Sequence, residues 1–241
     1  MNRPADLSKE QRLRYSRNLL LPEIGKEGQR RLLDSRVLIV GTGALGSIAA
    51  MYLAASGVGH ITLADYDTVD ISNLQRQLSF STADCGSMKV DAARSRMASI
   101  NPDVTVDVFA RMITGENAHG LFSGHDLVIE GSDNPATKYL VTDTCAELQI
   151  PCVLGGVTQF QGQVMSWAPG HPTYRDLFPE QAEAGGYTPC SLGGVLGPLP
   201  GVIASTQACE AVKILTGSGT PLYGKLFMVD MLNPSATVLD L

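Results

Sequence analysis

The sequence predicts a doubly wound α/β fold on a mainly parallel sheet, with a C-terminal antiparallel extension and a long Gly/Pro-rich crossover loop. Three features carry that prediction. Short, continuously apolar runs alternate with helical patterns through the first 156 residues. The spacing G-x-G-x-x-G follows the first such run and opens the helix after it. After Gly156 the texture changes to apolar–polar alternation, the mark of antiparallel strands with one wetted face.

The elements follow in order. "LSKEQRLRYSRNLLL" is an amphipathic helical arm, with Ser8 and Gln11 spaced for a capping box. Val37–Val40 is a buried strand, Ala44–Ser56 a helix and His60–Ala64 a second strand, with Asp65 just past its end. The loop "DTVDISNLQRQ" leads to a helix over Lys89–Ile100, which Asn101-Pro102 stops. "VTVDVFA" reads as a strand, "GENAHGLF" as a short helix and "DLVIEGSDN" as another buried strand. "PATKYLVTDTCAELQ" is helical and "IPCVLGGV" returns as a strand. "FQGQVMSWAPG" and "KLFMVDMLNPSATVLDL" alternate as antiparallel strands. Between them, residues 171–201 form the long loop, whose length suits a functional lid, and "VIASTQACEAVKILTG" closes as a helix with Gly217 as its stop. We expect one domain over 1–241: a helical arm (1–35), a nucleotide-binding half (36–156) and a partner-binding half (157–241).

Composition narrows the function. With 44% hydrophobic and 17% charged residues the 241-residue chain is globular, and its net charge of -6 argues against nucleic acid or an anionic membrane as partner. No apolar stretch is long enough for a membrane span, and the opening residues hold no secretory signal. The five cysteines include no CxxC pair, which points to reduced thiols and a cytoplasmic location. Cys85, Cys145, Cys152 and Cys209 lie in or beside predicted elements and are expected to be small buried residues. The four histidines fall in no catalytic pattern.

The glycine turn is Gly41, Gly43 and Gly46. The first permits a tight turn, the second lets a phosphate approach the backbone, and the third lets helix and strand pack closely. Asp65 is placed to accept hydrogen bonds from ribose hydroxyls, or else serves as a strand-end turn residue. This much is common to dinucleotide oxidoreductases. "SNLQRQ" is not: Asn73, Arg76 and Gln77 either supply donors and a guanidinium suited to polyphosphate just past the ribose strand or form a solvated helix start, and this stretch alone does not decide between the two. Lys89 sits further along the same connection, either facing the same ligand or simply solvated on an amphipathic helix, and Asp133 and Asn134 end the next apolar strand. In a doubly wound sheet those strand ends converge on one crevice.

The stretches "RYSRNLLLPEIG", "VLIVGTGALGS", "LADYDTVDISNLQRQ", "MKVDAARSRMASINP", "EGSDN" and "GGVLGPLPGVIASTQACEAVKIL" together resemble the adenylating family that includes MoeB, ThiF, HesA and the ubiquitin-activating enzymes. That resemblance covers nearly the whole chain. It implies a Rossmann-like fold and ATP, with Mg²⁺, in place of a dinucleotide. The implied reaction joins the C-terminal glycine carboxylate of a small ubiquitin-like sulfur-carrier protein, ending in Gly-Gly, to AMP, for sulfur transfer in thiamine or molybdopterin biosynthesis. It assigns Asp65 to the ribose, Asn73, Arg76, Gln77 and Lys89 to the phosphates, and Asp133 to Mg²⁺ and the reacting phosphate. Arg17 is implied to reach across a homodimer interface into the neighbouring site. Cys190, in "YTPCSLGGVLGP", is either a sulfur-linking thiol or an inert loop cysteine.

Two departures matter. Many relatives bind zinc through two CxxC pairs; here Thr173 and Asp176 occupy the first pair's positions, and no counterpart of the second appears before Leu241. No zinc is therefore expected. No sulfurtransferase domain is apparent in these residues, so a separate sulfur-donor protein is expected. The alternatives weighed are the tRNA-modifying dehydratase branch of the same family, an NAD-dependent oxidoreductase, and a non-catalytic scaffold. Retention of Arg76, Lys89 and Asp133 argues against the last.

Overall fold

A computed structural model describes residues 6–179 and 193–241. Its centre is an eight-stranded sheet in the order β3-β2-β1-β4-β5-β6-β7-β8. The strands are β1 (Arg36–Val40), β2 (His60–Ala64), β3 (Thr105–Phe109), β4 (Leu127–Glu130), β5 (Cys152–Thr158), β6 (Gln161–Trp167), β7 (Lys225–Asp230) and β8 (Ser235–Asp240). β1 to β5 are mutually parallel, with Leu38 opposite Thr62 on one side and Val128 on the other. β6, β7 and β8 then add antiparallel.

Both faces of the sheet are covered at β1, β2 and β4, which is why those strands are buried almost throughout, whereas the edge strand β3 alternates and is partly exposed. Val37, Ile39, Ile61, Leu63, Leu127 and Ile129 face one core, shared with α3 (Gly25–Asp34), α4 (Gly46–Ser56), α5 (Lys89–Ile100) and α9 (Leu199–Thr216). Leu38, Val40 and Val128 face the other, with α6 (Gly115–Phe122) and α7 (Pro135–Leu148). The short helices α1 (Lys9–Arg14), α2 (Ser16–Leu19) and α8 (Tyr174–Leu177) complete the described set.

Local chemistry sets the helix ends. Ser8 and Gln11 form the expected capping box on α1, but Tyr15 leaves helical geometry and divides the arm into α1 and α2. The Tyr15 hydroxyl accepts from the buried Asn101 amide, which anchors the arm to the end of α5. α3 lies within the helical arm expected over residues 1–35, but no separate helix is expected there. α4 begins at Gly46, two residues later than expected, because Ala44 and Leu45 belong to the glycine turn. Asn134 caps α7, accepting from the amides of Ala136 and Thr137, and Pro135 supplies its first residue.

Two cysteine expectations are corrected. Cys145 and Cys152 are buried side by side, and the Cys145 side chain together with burial holds the Cys152 thiol well above the ordinary range. Cys85 and Cys209 are exposed. Cys85 closes a one-turn 3₁₀ segment in a surface loop, and Cys209 lies on the solvent side of α9.

Candidate active site

The chain leaves β1 for β2 and β3 on one side, then resumes with β4 and β5 on the other. The order reverses between β1 and β4, and the loops beyond their carboxyl ends diverge there to leave a crevice. A cavity of about 460 Å³ occupies that position, a size ordinary for a small-molecule site.

The glycine turn forms its floor, and its three glycines do different work. Gly41 has a φ of +81°, and a side chain there would lie 2.9 Å from the Ser132 amide nitrogen. A Cβ at Gly46 would sit 1.8 Å from the Gly41 carbonyl oxygen, so helix and turn close only around a glycine. At Gly43 the nearest atom would be Gln77 Nε2 at 3.5 Å, an ordinary contact. Packing within the chain does not require glycine at 43, and that residue lines the cavity.

Asp65 follows β2 and ties it to this turn, accepting from the Thr42 amide at 2.7 Å and the Asp67 amide at 2.9 Å. Lys89, the first residue of α5, is 6% exposed, and its Nζ lies 2.5 Å from Asp67. Arg76 is half-buried and donates to the Ser72 carbonyl at 3.1 Å. Gln77 is buried, and its Oε1 has no hydrogen-bond partner among the described residues. A buried, unsatisfied acceptor beside an open cavity is a place where a ligand donor compensates a desolvation cost of roughly 1–3 kcal/mol. Asp133 and Asn134 lie on the β4–α7 turn and line the same space.

Six predicted polar residues, Asp65, Arg76, Gln77, Lys89, Asp133 and Asn134, therefore share one cavity with Gly41 and Gly43. Gly46 packs beneath it. Asn73 is not among the lining residues: its Oδ1 accepts from the Asp70 amide and caps the 3₁₀ turn Ile71–Asn73, so the side chain serves the loop that carries Arg76. In the same cap, bonds from the Ser72 hydroxyl and amide hold the Asp70 carboxyl below its usual range. Arg17 is exposed on α2, outside the cavity of its own chain. Cys190 lies outside the described residues.

Sequence reasoning missed Lys138, on α7, and Arg111, Met112 and Ile113, on the loop after β3. The second group could have been nominated by position, because that loop leaves the same end of the sheet. Beyond these residues the cavity changes character. Its far wall is Gly156–Thr158 and Gln161–Gln163 from the β5–β6 hairpin, with Tyr174, Phe178, Val195 and Met228, and among the described residues it carries no charge. At the two positions that correspond to the first CxxC pair, the Thr173 amide and hydroxyl both donate to Asp176, which lowers that carboxyl. Arg175 forms a forked ion pair with Asp143 and lies 4.6 Å above the Tyr139 ring, securing α8 to α7. Among the described residues no His, Cys, Asp and Glu cluster suits a metal ion, and no helix is long and apolar enough to cross a membrane.

The sequence model of the ThiF family matches residues 15–241. The SAMP-activating enzyme E1 of Haloferax volcanii is 43% identical over 220 residues, covering 91% of this chain and 82% of that protein. The sulfur carrier protein adenylyltransferase of Thermus thermophilus is 41% identical over 236 residues, covering 95% and 86%. The probable adenylyltransferase/sulfurtransferase MoeZ of Mycobacterium tuberculosis is 42% identical, but this chain spans only 60% of its length. Among solved structures, PaaA superposes with a TM-score of 0.82 at 25% identity over 97% of this chain and 74% of its own. E. coli MccB, solved with ATP, superposes with 0.81 at 23% identity over 94% and 71%, which speaks to the fold alone.

Proposed function

This chain belongs to the ThiF family, and from that premise we propose that it is an ATP-dependent adenylyltransferase acting on a small ubiquitin-like sulfur-carrier protein. Relatives at 41–43% identity whose names state SAMP activation, adenylyl transfer or adenylyl transfer to a sulfur carrier protein support the reading. The observation that carries it is the division of one cavity into an ionic half and an uncharged half.

The ionic half suits ATP. Asp65 would accept from the ribose, and Ala64, Met112 and Ile113 offer apolar surface for the base. Lys89 has one described partner and so two further N–H donors, and among the described residues Arg76 commits one donor, to Ser72. Both are therefore equipped to bind phosphate oxygens. Gly43 leaves the backbone open to the same group. The exposed carboxylate of Asp133 is a hard oxygen ligand of the kind Mg²⁺ takes alongside phosphates, and that ion would neutralise phosphate charge. The uncharged half, bordered by Gly156 and Gly162, suits an extended tail that ends in small residues.

In the reaction a carrier carboxylate oxygen bonds to the α-phosphorus, the bond to the leaving oxygen breaks, and pyrophosphate departs with that electron pair. The products are an acyl adenylate and pyrophosphate, and no proton moves. Two anions must approach, so the enzyme's contribution is charge neutralisation and in-line placement. Lys89 and Arg76 supply charge, and the two cavity halves supply placement.

The active form is a homodimer in which Arg17 serves the partner's cavity. Supporting this, Arg17 sits on an exposed helix flanked by Leu13 and Leu20, which are 78% and 70% exposed. Sulfur comes from a separate donor protein.

The test is ATP–pyrophosphate exchange with a panel of Gly-Gly-ended carriers, each paired with a version lacking its last glycine. One carrier should stimulate exchange, and its truncated form should not. Exchange indifferent to the terminal glycine, or NAD-dependent absorbance changes with small substrates, would overturn the assignment.

A further inference from the structure

We propose that Lys138 is a positioning residue for adenylyl transfer: it holds the β4–α7 turn, and so Asp133, while making no contact with phosphate itself. The inference rests on the adenylation reading for its kinetic consequence but on geometry for its substance. Lys138 is 7% exposed, and an ammonium that deep is stable only when paired. Its Nζ donates to the Glu130 carboxylate, to the Ser132 carbonyl at 2.9 Å and to the Gly155 carbonyl at 2.7 Å.

An ammonium has three protons, and here three acceptors take them. None remains for a substrate. Lys89 and Arg76 differ in kind, since each keeps donors uncommitted among its described contacts. Lys138 contributes to the cavity wall but not to its set of available donors.

What it grips explains its use. Glu130 accepts from the Ser132 amide at 2.8 Å and from the Ser132 hydroxyl, while Lys138 takes the Ser132 carbonyl. The peptide units on both sides of Ser132 are thus held by one buried ion pair, and Asp133 is the next residue. The same ammonium reaches Gly155 on β5, one residue before the uncharged wall begins. Gln207 secures the other side of Glu130, donating from Nε2 to its carbonyl at 2.8 Å. Lys138 therefore fixes the ionic and uncharged halves relative to each other.

The experiment compares wild type, Lys138→Met, Lys138→Arg and the double variant Glu130→Gln/Lys138→Met, which removes both buried charges and so avoids a lone carboxylate. Three quantities are read: amide hydrogen exchange across residues 131–134, ATP affinity, and kcat for pyrophosphate exchange. A displacement of about 1 Å at the reacting groups costs up to about a hundredfold in rate. Lys138→Met and the double variant should lose about 10- to 100-fold in kcat with ATP affinity within about twofold of wild type. Both should exchange the 131–134 amides at least about tenfold faster, and Lys138→Arg should recover part of each loss. ATP affinity falling as steeply as kcat would make Lys138 a phosphate ligand and overturn the proposal. A folded double variant with normal amide protection and normal kcat would overturn it too. Amide exchange is read without carrier, so it tests the clamp even if no carrier supports adenylation.

Discussion

Replacing Lys89 with methionine separates the charge at the phosphate site from everything else that residue does. The buried stem is kept and only the ammonium is removed. The fold should tolerate this, because the lost ion pair is one-sided: the Asp67 side chain is 56% exposed, and half-exposed pairs contribute about 0–1 kcal/mol. For a chain of this size that corresponds to a fall in Tm of at most roughly 4 °C. The catalytic loss should be far larger. Removing one preorganised donor from developing transition-state charge costs about 10²–10³ in rate, or roughly 3–4 kcal/mol. ATP–pyrophosphate exchange at saturating ATP and carrier, with Tm by differential scanning calorimetry, measures both. A companion variant, Asp67→Asn, removes the ion pair but keeps the ammonium, so its rate should stay within about tenfold of wild type. Lys89→Met retaining wild-type exchange would refute the reasoning, and so would equal losses in the two variants, which would trace the effect to the pair.

Three further outcomes are expected. Arg17→Ala and Lys89→Met should each be inactive alone, yet mixing them equally and allowing subunit exchange should restore about a quarter of wild-type activity, because half the dimers then carry one intact site; no recovery would place Arg17 in its own chain's cavity or outside catalysis. Gly46→Ala should cost about 3 kcal/mol or more and yield little soluble protein, since its Cβ would meet backbone at 1.8 Å, whereas Gly43→Ala should melt near wild type and bind ATP less tightly. The Asp176 carboxyl is held below its ordinary value of 3.8 by the Thr173 amide and hydroxyl. Its capping of α8 is therefore complete above that value and lost as pH falls through the lowered one, so the Thr173 amide resonance should titrate with a midpoint below 3.8.

How much of this was legible in the sequence depends on whether a residue's role is set by its neighbours along the chain or across the fold. The strands were readable because a parallel sheet covered on both faces needs unbroken apolar runs, and "RVLIV" and "LVIE" are such runs. Most of the site followed from the same logic, since any polar residue just past the carboxyl end of β1, β2 or β4 is delivered to one crevice. Asn73 shows the limit. Its position in "SNLQRQ" suits a phosphate ligand, but an Asn three residues after an Asp can also close a turn, and in the fold it does that. α3 was covered by the expected helical arm, but its separate bounds were hidden for another reason. "GKEGQRRLLD" carries two glycines and few apolar residues, and the buried Gly28, which lies 3.4 Å from Thr216 even for a hypothetical Cβ, reflects docking against α9 nearly 190 residues later.

Lys138 is the most instructive omission. On a helical wheel it reads as one more solvated lysine, and nothing within four residues contradicts that. The signal lay eight residues upstream, where Glu130 ends the apolar strand "LVIE" and is completely buried. A carboxylate at the inner end of a central strand cannot stay charged and alone. It demands a cation, and the next basic residue along the chain is Lys138, one helical turn past the N-cap Asn134. An acid in an apolar run is therefore a question posed to the rest of the sequence. Answering it here leads from the core of the sheet to the turn that carries Asp133.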